Sequence, residues 1–500
     1  MTPRMSYVVN RVRHGLYLDS LALMRLSQVL SGLPGVETAS LMIGTPANRQ
    51  ILDEAGLLGT EGRTAGANDL IIAIKAESEA KADAALTEAD KRLNRPQAAG
   101  AGEHKPRTIE AASALLGGAN LAIISVPGEF AANEARKALA CGLHVLLFSD
   151  NVAVEDERAL KVEAQKRDLL LMGPDCGTAL IGGAPLAFAN EVERGPVGIV
   201  SASGTGLQEV SCLIARAGGG VSHGIGVGGR DLSDTVGGLA TLAAIDALDR
   251  DDATRHIVLI SKPPSSAVAR TILERVARST KPFTICFLGA DGQRVPANAK
   301  AAATLADAAA LALARPVAVP IDIPAMVRLV AAELDPKRRA IRGLYSGGTL
   351  CSEAQLVLRA AGEAFWSNAP LPGAAMQRPA QGHLLMDYGA DEYTVGRPHP
   401  MIDPTHRSEA LREALADPAL AVVLLDVVIG YGAHADPAGA VAAVVAAAKA
   451  PRPAVVASVT GTDGDPQNRT AQVEKLESAG ILVAAANAQA AALALAIARR

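Results

Sequence analysis

Apolar runs and segments of helical period alternate along the whole of this chain. Near the start, Tyr7–Val12, Thr38–Ile43 and Leu70–Ile74 read as strands. Helical patterns follow each of them at Asp19–Leu33, Ala47–Ala55 and Glu77–Leu93. That order predicts a small ferredoxin-like α+β unit over residues 1–95, wound as a split βαβ. The polar stretch Asn94–Lys105, which carries Gly and Pro, reads as a linker.

Over residues 106–192 the strands are Leu121–Val126, His144–Phe148 and Leu169–Met172, and the helices Glu129–Cys141 and Val154–Arg167. This spacing predicts a Rossmann-like domain with a parallel sheet. The pattern then runs twice more, over 196–320 and 340–500. Strands are expected at His256–Ile260 and Phe283–Leu288 in the first copy, and at Ala421–Val427 and Ala454–Val459 in the second. Each copy closes on an Ala-rich helix, Asp307–Ala314 or Ala488–Ala498. The expected fold is therefore α/β: a Rossmann-like domain followed by two flavodoxin-like parallel-sheet domains, with a small α+β domain in front.

A turn recurs at the head of both copies. Residues 198–205 read Gly-Ile-Val-Ser-Ala-Ser-Gly-Thr and residues 343–349 read Gly-Leu-Tyr-Ser-Gly-Gly-Thr, ahead of helical runs at Gln208–Ala217 and Cys351–Ala361. A strand, a Ser/Gly turn and a helix N-terminus present free N–H groups and a positive dipole end, which suit an anion. Ser201, Ser203, Gly204, Thr205, Ser346, Gly347, Gly348 and Thr349 are the candidate phosphate ligands. An ordinary N-capped turn is the alternative.

Other candidates gather downstream. Gly228, Gly229 and Arg230 close a Gly-rich segment in which Arg230 could clamp a carboxylate, or could pair structurally with Asp231. Lys262 follows a strand end and points either into the cleft or into solvent. Arg397 and His399 sit in a Pro-rich loop as candidates for substrate binding and proton transfer. His399, Asp403 and His406 match no usual zinc spacing, so no metal site is expected. Cys176 lacks a neighbouring base in sequence and reads as a buried loop thiol.

Composition narrows the partners. The chain is 49% hydrophobic and 20% charged, with a formal net charge of −4, which leaves no basic footprint for nucleic acid. No apolar run is long enough to span a bilayer, and the five Cys are scattered without a CxxC pair. A cytoplasmic protein with reduced thiols is expected.

Ile123–Arg315 resembles the α subunit of succinyl-CoA synthetase, on Gly173-Pro174-Asp175-Cys176, Gly198–Thr205 and Gly226-Val227-Gly228-Gly229. End to end, the chain is similar to the FdrA family. The similarity runs through Gly44–Asn48, Phe148–Val152, Gly228–Ser233, Ser261–Pro264 and Tyr393–Pro404. The first resemblance implies two helix N-termini gripping a phosphate. The second implies a subunit of an oxamate carbamoyltransferase in allantoin and purine breakdown, working with partner subunits as an oligomer on small anions (carbamoyl phosphate and oxamate). An acyl-CoA ligase and a non-catalytic anion-binding scaffold are the alternatives.

The chain also departs from the synthetase. The segment Ala290–Val295 contains no His where the phosphorylated His is expected, and Lys262 stands where the synthetase has a Glu. The Gly-rich turn for CoA and the nucleotide and Mg²⁺ residues of an ATP-grasp domain are missing. No cofactor is therefore expected, neither CoA nor a nucleotide. The departures suit direct use of an acyl phosphate, with Lys262 and His399 as the catalytic residues.

Overall fold

The computed structural model describes residues 6–16, 18, 20–94, 106–290, 292–332, 334–371, 374, 377–379, 382–394 and 398–500. Most of the expected linker, and Arg397 of the Pro-rich loop, lie outside the described residues.

Strands Tyr7–Arg13, Val36–Ile43 and Leu70–Ala76 form an antiparallel sheet. The last of them lies between the other two, as a split βαβ requires. Leu70, Ile72 and Ile74 share one core cluster with Leu30 and Leu86 from the two long helices, Ser20–Ser31 and Glu79–Leu93. The opposite face, with Ile71 and Ala73, packs on Leu52 and Leu57.

A three-stranded parallel sheet follows, made of Leu121–Ile124, His144–Leu147 and Leu171–Met172 in that order. Its last strand ends at Met172, as the sequence pattern has it. Residues 178–187 form a hairpin, Thr178–Ile181 with Ala184–Ala187, that pairs antiparallel with Val221–Gly226 of the next sheet. The hairpin carries Thr178, Gly182 and Gly183 and so has no strong apolar alternation to announce it.

The next sheet has seven strands. Its five parallel members are Val197–Ser201, Val221–Gly226, His256–Ser261, Phe283–Phe287 and Ala299–Ala301. In sheet order they run second, first, third, fourth, fifth, which is the flavodoxin arrangement. The six-stranded parallel sheet after it repeats that order in His383–Asp387, Ala340–Tyr345, Leu420–Val428, Ala454–Thr460 and Leu482–Ala484. It adds one edge strand, Phe365–Ser367. In both sheets the duplicated turn leaves the strand at which the winding reverses, where the carboxyl ends of neighbouring strands diverge and open a crevice.

These two units share one continuous core. Ile199, Leu207 and Ile214 of one and Leu350, Leu385 and Ala490 of the other belong to the same buried cluster. A reciprocal device joins them as well. Glu209, six residues into the helix that follows Ser203, is buried and takes the amide of Asn487 at the start of helix Asn487–Arg499 in the second unit. Glu353 holds the matching place after Gly347. It takes the amide of Leu305, 2.7 Å away, at the start of helix Leu305–Leu313 in the first unit. Each unit thus supplies the acceptor for an otherwise unpaired N–H at the other's closing helix.

Candidate functional site

The duplicated turns face one another. Helix Gly204–Arg216 starts at the N-cap Ser203, whose Oγ accepts from Gly206 N at 2.9 Å. The same Oγ shares a 2.5 Å hydrogen bond with Oγ1 of Thr349, in the first turn of helix Gly348–Ala360. Thr205 lies against Gly347, where an added Cβ would stand 3.0 Å from the threonine methyl. The two positive helix ends therefore meet at one cleft.

Several expected ligands are already engaged. Ser201 Oγ accepts from Ser203 N and donates to Ser203 O, closing the turn on itself. Ser346 N and Gly347 N donate to Asp426 Oδ1 and Oδ2 at 2.8 and 2.7 Å, and Ser346 Oγ donates to Oδ1 at 2.9 Å. Asp426 and its partner Arg407 (2.6 Å) are both buried. A resident carboxylate thus occupies the outer part of the second turn, and sequence patterning gave no sign of it because Asp426 lies inside an apolar strand. The amides of Gly204, Thr205, Gly348 and Thr349 donate to no acceptor among the described residues.

Lys262 is exposed at the end of strand His256–Ser261 and faces the second unit, where its positive charge acts on Asp387. Asp387 closes strand His383–Asp387 and is 5% exposed. Its Oδ1 accepts from Gly389 N at 2.9 Å, and its Oδ2 lies 2.6 Å from where a Cβ on Gly348 would stand. Burial pushes its carboxyl up to about 6. Sequence reading missed this residue; its signal was an acidic group ending an apolar strand, directly before Tyr388 and Gly389.

His399 approaches the same place. Its Nε2 is 2.7 Å from where a Cβ on Gly389 would stand, and Asp387 Oδ1 is 3.2 Å from that point. Its Nδ1 accepts the Met401 amide at 3.2 Å. An amide only donates, so Nδ1 carries no proton, and in the neutral ring Nε2 bears it. Burial and the nearby Arg407 push His399 down to about 4 and keep it neutral near pH 7. The expected proton acceptor is thus arranged as a hydrogen-bond donor.

The Gly228–Arg230 segment is fixed by packing. Gly228 has φ +86° and lies so close to Pro174 O that a Cβ would stand 2.4 Å from it. Arg230 pairs with Glu157 at 2.9 Å and donates to Val152 O at 2.8 Å, so its guanidinium is not an open carboxylate clamp. Asp231 pairs instead with buried Lys161 at 2.9 Å. Beside them Asp175 is held up to about 6 by burial and by the carboxylates of Asp150 and Asp391, which places the Pro174 turn next to the loop after Asp387. Cys176 is buried and pushed up to about 12 by that burial, as a structural thiol should be.

His406 and Asp403 do not join His399. His406 packs on Tyr388 and Tyr393, and Asp403 accepts from Thr405. Among the described residues no three His, Cys, Asp or Glu side chains are grouped to hold a metal ion. No helix among them is long and apolar enough to cross a membrane.

The family model for CoA-ligase matches residues 344–497, and that for the AllF heavy metal-associated domain matches residues 5–109. The chain is 42% identical to YahF, an uncharacterized protein of Escherichia coli K12, over 492 residues that cover 95% of this chain and 96% of that one. It is 32% identical over 154 residues to the α subunit of an ADP-forming succinate–CoA ligase of Aquifex aeolicus, covering 29% of this chain and about half (48%) of that subunit. A solved structure of PH0766 from Pyrococcus horikoshii aligns over 76% of this chain and 83% of its own, at 17% identity and a TM-score of 0.29. The heavy-metal description does not fit the residues present. Residues 5–109 contain no Cys, and His14 there is 82% exposed and paired with Asp69, so the thiolates that soft metals select are missing.

Proposed function

We propose that this chain, which belongs to the FdrA family of succinyl-CoA synthetase-like proteins, is the phosphate-holding subunit of an oxamate carbamoyltransferase. The reaction interconverts oxalurate plus phosphate with oxamate plus carbamoyl phosphate. One observation carries the reading: two helix N-termini meet at a cleft faced by Lys262, with no His in the segment Ala290–Val295 to carry a phosphoryl group. Such a cleft suits a phosphate that arrives on a small acyl group.

In this reading the amides of Gly204, Thr205, Gly348 and Thr349, with the Thr205 hydroxyl, hold the phosphate, and Lys262 offsets its charge. His399 Nε2–H orients a substrate oxygen. Partner subunits complete the reaction. The test is incubation of the chain and its partners with oxalurate and inorganic phosphate, without ATP or CoA. Carbamoyl phosphate and oxamate are the expected products. No phosphate-dependent loss of oxalurate overturns the reading. The CoA-ligase match over 344–497 favours an acyl-CoA ligase as the second reading; succinyl-CoA formed from ATP, CoA and succinate in the same assay would select it.

A further inference from the structure

The carboxylate of Asp387 has an unpaired oxygen that borders the meeting point of the two helix ends. Asp387 Oδ1 is tied to Gly389 N, while Oδ2 accepts nothing from the described residues and lies against the backbone of Gly348. Two glycines make room for this placement. A side chain at 348 would strike Oδ2, and one at 389 would strike His399 Nε2 and Ser346 O, each 2.7 Å from the added carbon. The charged and titratable groups around it are Lys262 on one side, and Asp426, Glu392, His399 and Cys351 on the other. His399 cannot serve as the base while Nδ1 holds the Met401 amide.

From this geometry we infer that Asp387 is the proton-transfer residue of the cleft, and that His399 serves it as an orienting donor. The inference rests on the carbamoyl-transfer reading and assigns its acid and base. In the phosphorolytic direction a phosphate oxygen bonds the carbamoyl carbon of oxalurate and the carbon–nitrogen bond to the oxamate amide breaks. Protonated Oδ2 gives its proton to the departing nitrogen and regains one from the hydroxyl of the hydrogen phosphate. In reverse protonated Oδ2 gives its proton to the departing phosphate oxygen, and the carboxylate so formed takes one from the oxamate amide as its nitrogen bonds the carbamoyl carbon. The raised carboxyl supports the assignment, since a group that titrates near 6 serves in both forms near neutrality.

Two measurements on the full-length chain test it. The first is sulfate binding by calorimetry, chosen because sulfate does not titrate between pH 5 and 8. Affinity should fall about tenfold as pH rises through about 6, because ionised Asp387 opposes the anion. Asp387→Asn should bind tightly throughout. If Asp387→Asn keeps the wild-type pH dependence, the inference is overturned. If wild type binds no sulfate at any pH, the phosphate cleft itself falls and the inference with it.

The second is turnover by the chain with its native partners. Asp387→Asn should lose about 10²-fold or more in kcat with KM for phosphate no higher than wild type, and Asp387→Glu should recover part. The limb near pH 6 in kcat/KM should run in the same sense in both directions, falling above it, because phosphorolysis and oxamate carbamoylation cross one transition state with Asp387 protonated at the start. An Asp387→Asn enzyme with near-normal kcat refutes the role of Asp387 while leaving the carbamoyl-transfer reading standing.

Discussion

The hydroxyls of Ser203 and Thr349 share a 2.5 Å hydrogen bond across the two halves of a duplicated unit. The same Ser203 oxygen caps its own helix, so the residue couples local helix stability to the closeness of the two helix ends. Ser203→Ala removes both bonds and should cost about 1–2 kcal/mol of unfolding free energy. Thr349→Val removes only the cross-unit bond and should cost less. A double-mutant cycle in urea should show coupling of about 0.5 kcal/mol or more between them; strict additivity would mean the bond has no energetic content.

Asp426 is the internal anion of the second turn. Asp426→Ala leaves Arg407 buried without its partner and frees the amides of Ser346 and Gly347. The expected loss is about 3–5 kcal/mol, read from denaturant unfolding. A loss under about 1 kcal/mol would mean the turn holds its shape without this carboxylate.

Lys262 is exposed and pairs with no carboxylate at salt-bridge distance among the described residues. Lys262→Ala should therefore leave stability within about 0.5 kcal/mol of wild type. Its effect belongs to ligand binding: sulfate affinity should drop about tenfold, and the salt dependence of binding should become shallower. Unchanged affinity would place the ammonium outside the anion's reach.

Burial raises Glu353 to about 7, above the usual glutamate value of about 4.3. Between those values the folded chain binds more protons than the unfolded chain, so stability should fall as pH rises from about 4.5 to 7 and level off above. Asp175 and Asp387, both raised to about 6, act in the same sense. Glu353→Gln should flatten the upper part of this slope in thermal melts taken across that range. An unaltered slope would assign the effect to the other carboxylates.

Much of this was legible in the sequence, for identifiable reasons. The parallel strands His256–Ser261 and Leu420–Val428 are buried along nearly their whole length, so they read as continuous apolar runs. The duplicated turns announced themselves by repetition, although the helices begin at Gly204 and Gly348, earlier than expected, because N-terminal Gly and Thr carry little helical signal. Strand Val221–Gly226 hid in its glycines. Gly226 lies where a Cβ would stand 2.4 Å from Thr178 O, so close packing demanded a residue that weakens the strand pattern. Ser346 and Gly347 looked like free ligands because their acceptor, Asp426, is some eighty residues away in sequence. The role of His399 turned on one hydrogen bond to a neighbouring amide, which no residue pattern encodes.

The reciprocal pairing of Glu209 with Asn487 and Glu353 with Leu305 bears on how the gene product can be divided. Each carboxylate accepts a backbone amide from the far side of the common core. A fragment ending before strand Ala340–Tyr345 would present Leu207, Ile214 and a lone buried-type glutamate to water, and its counterpart would present Leu350 and Glu353. Neither piece should be soluble alone. The two expressed together should assemble without a covalent link, provided the first piece keeps helix Ile323–Ala331 and Leu334, which pack on the same core.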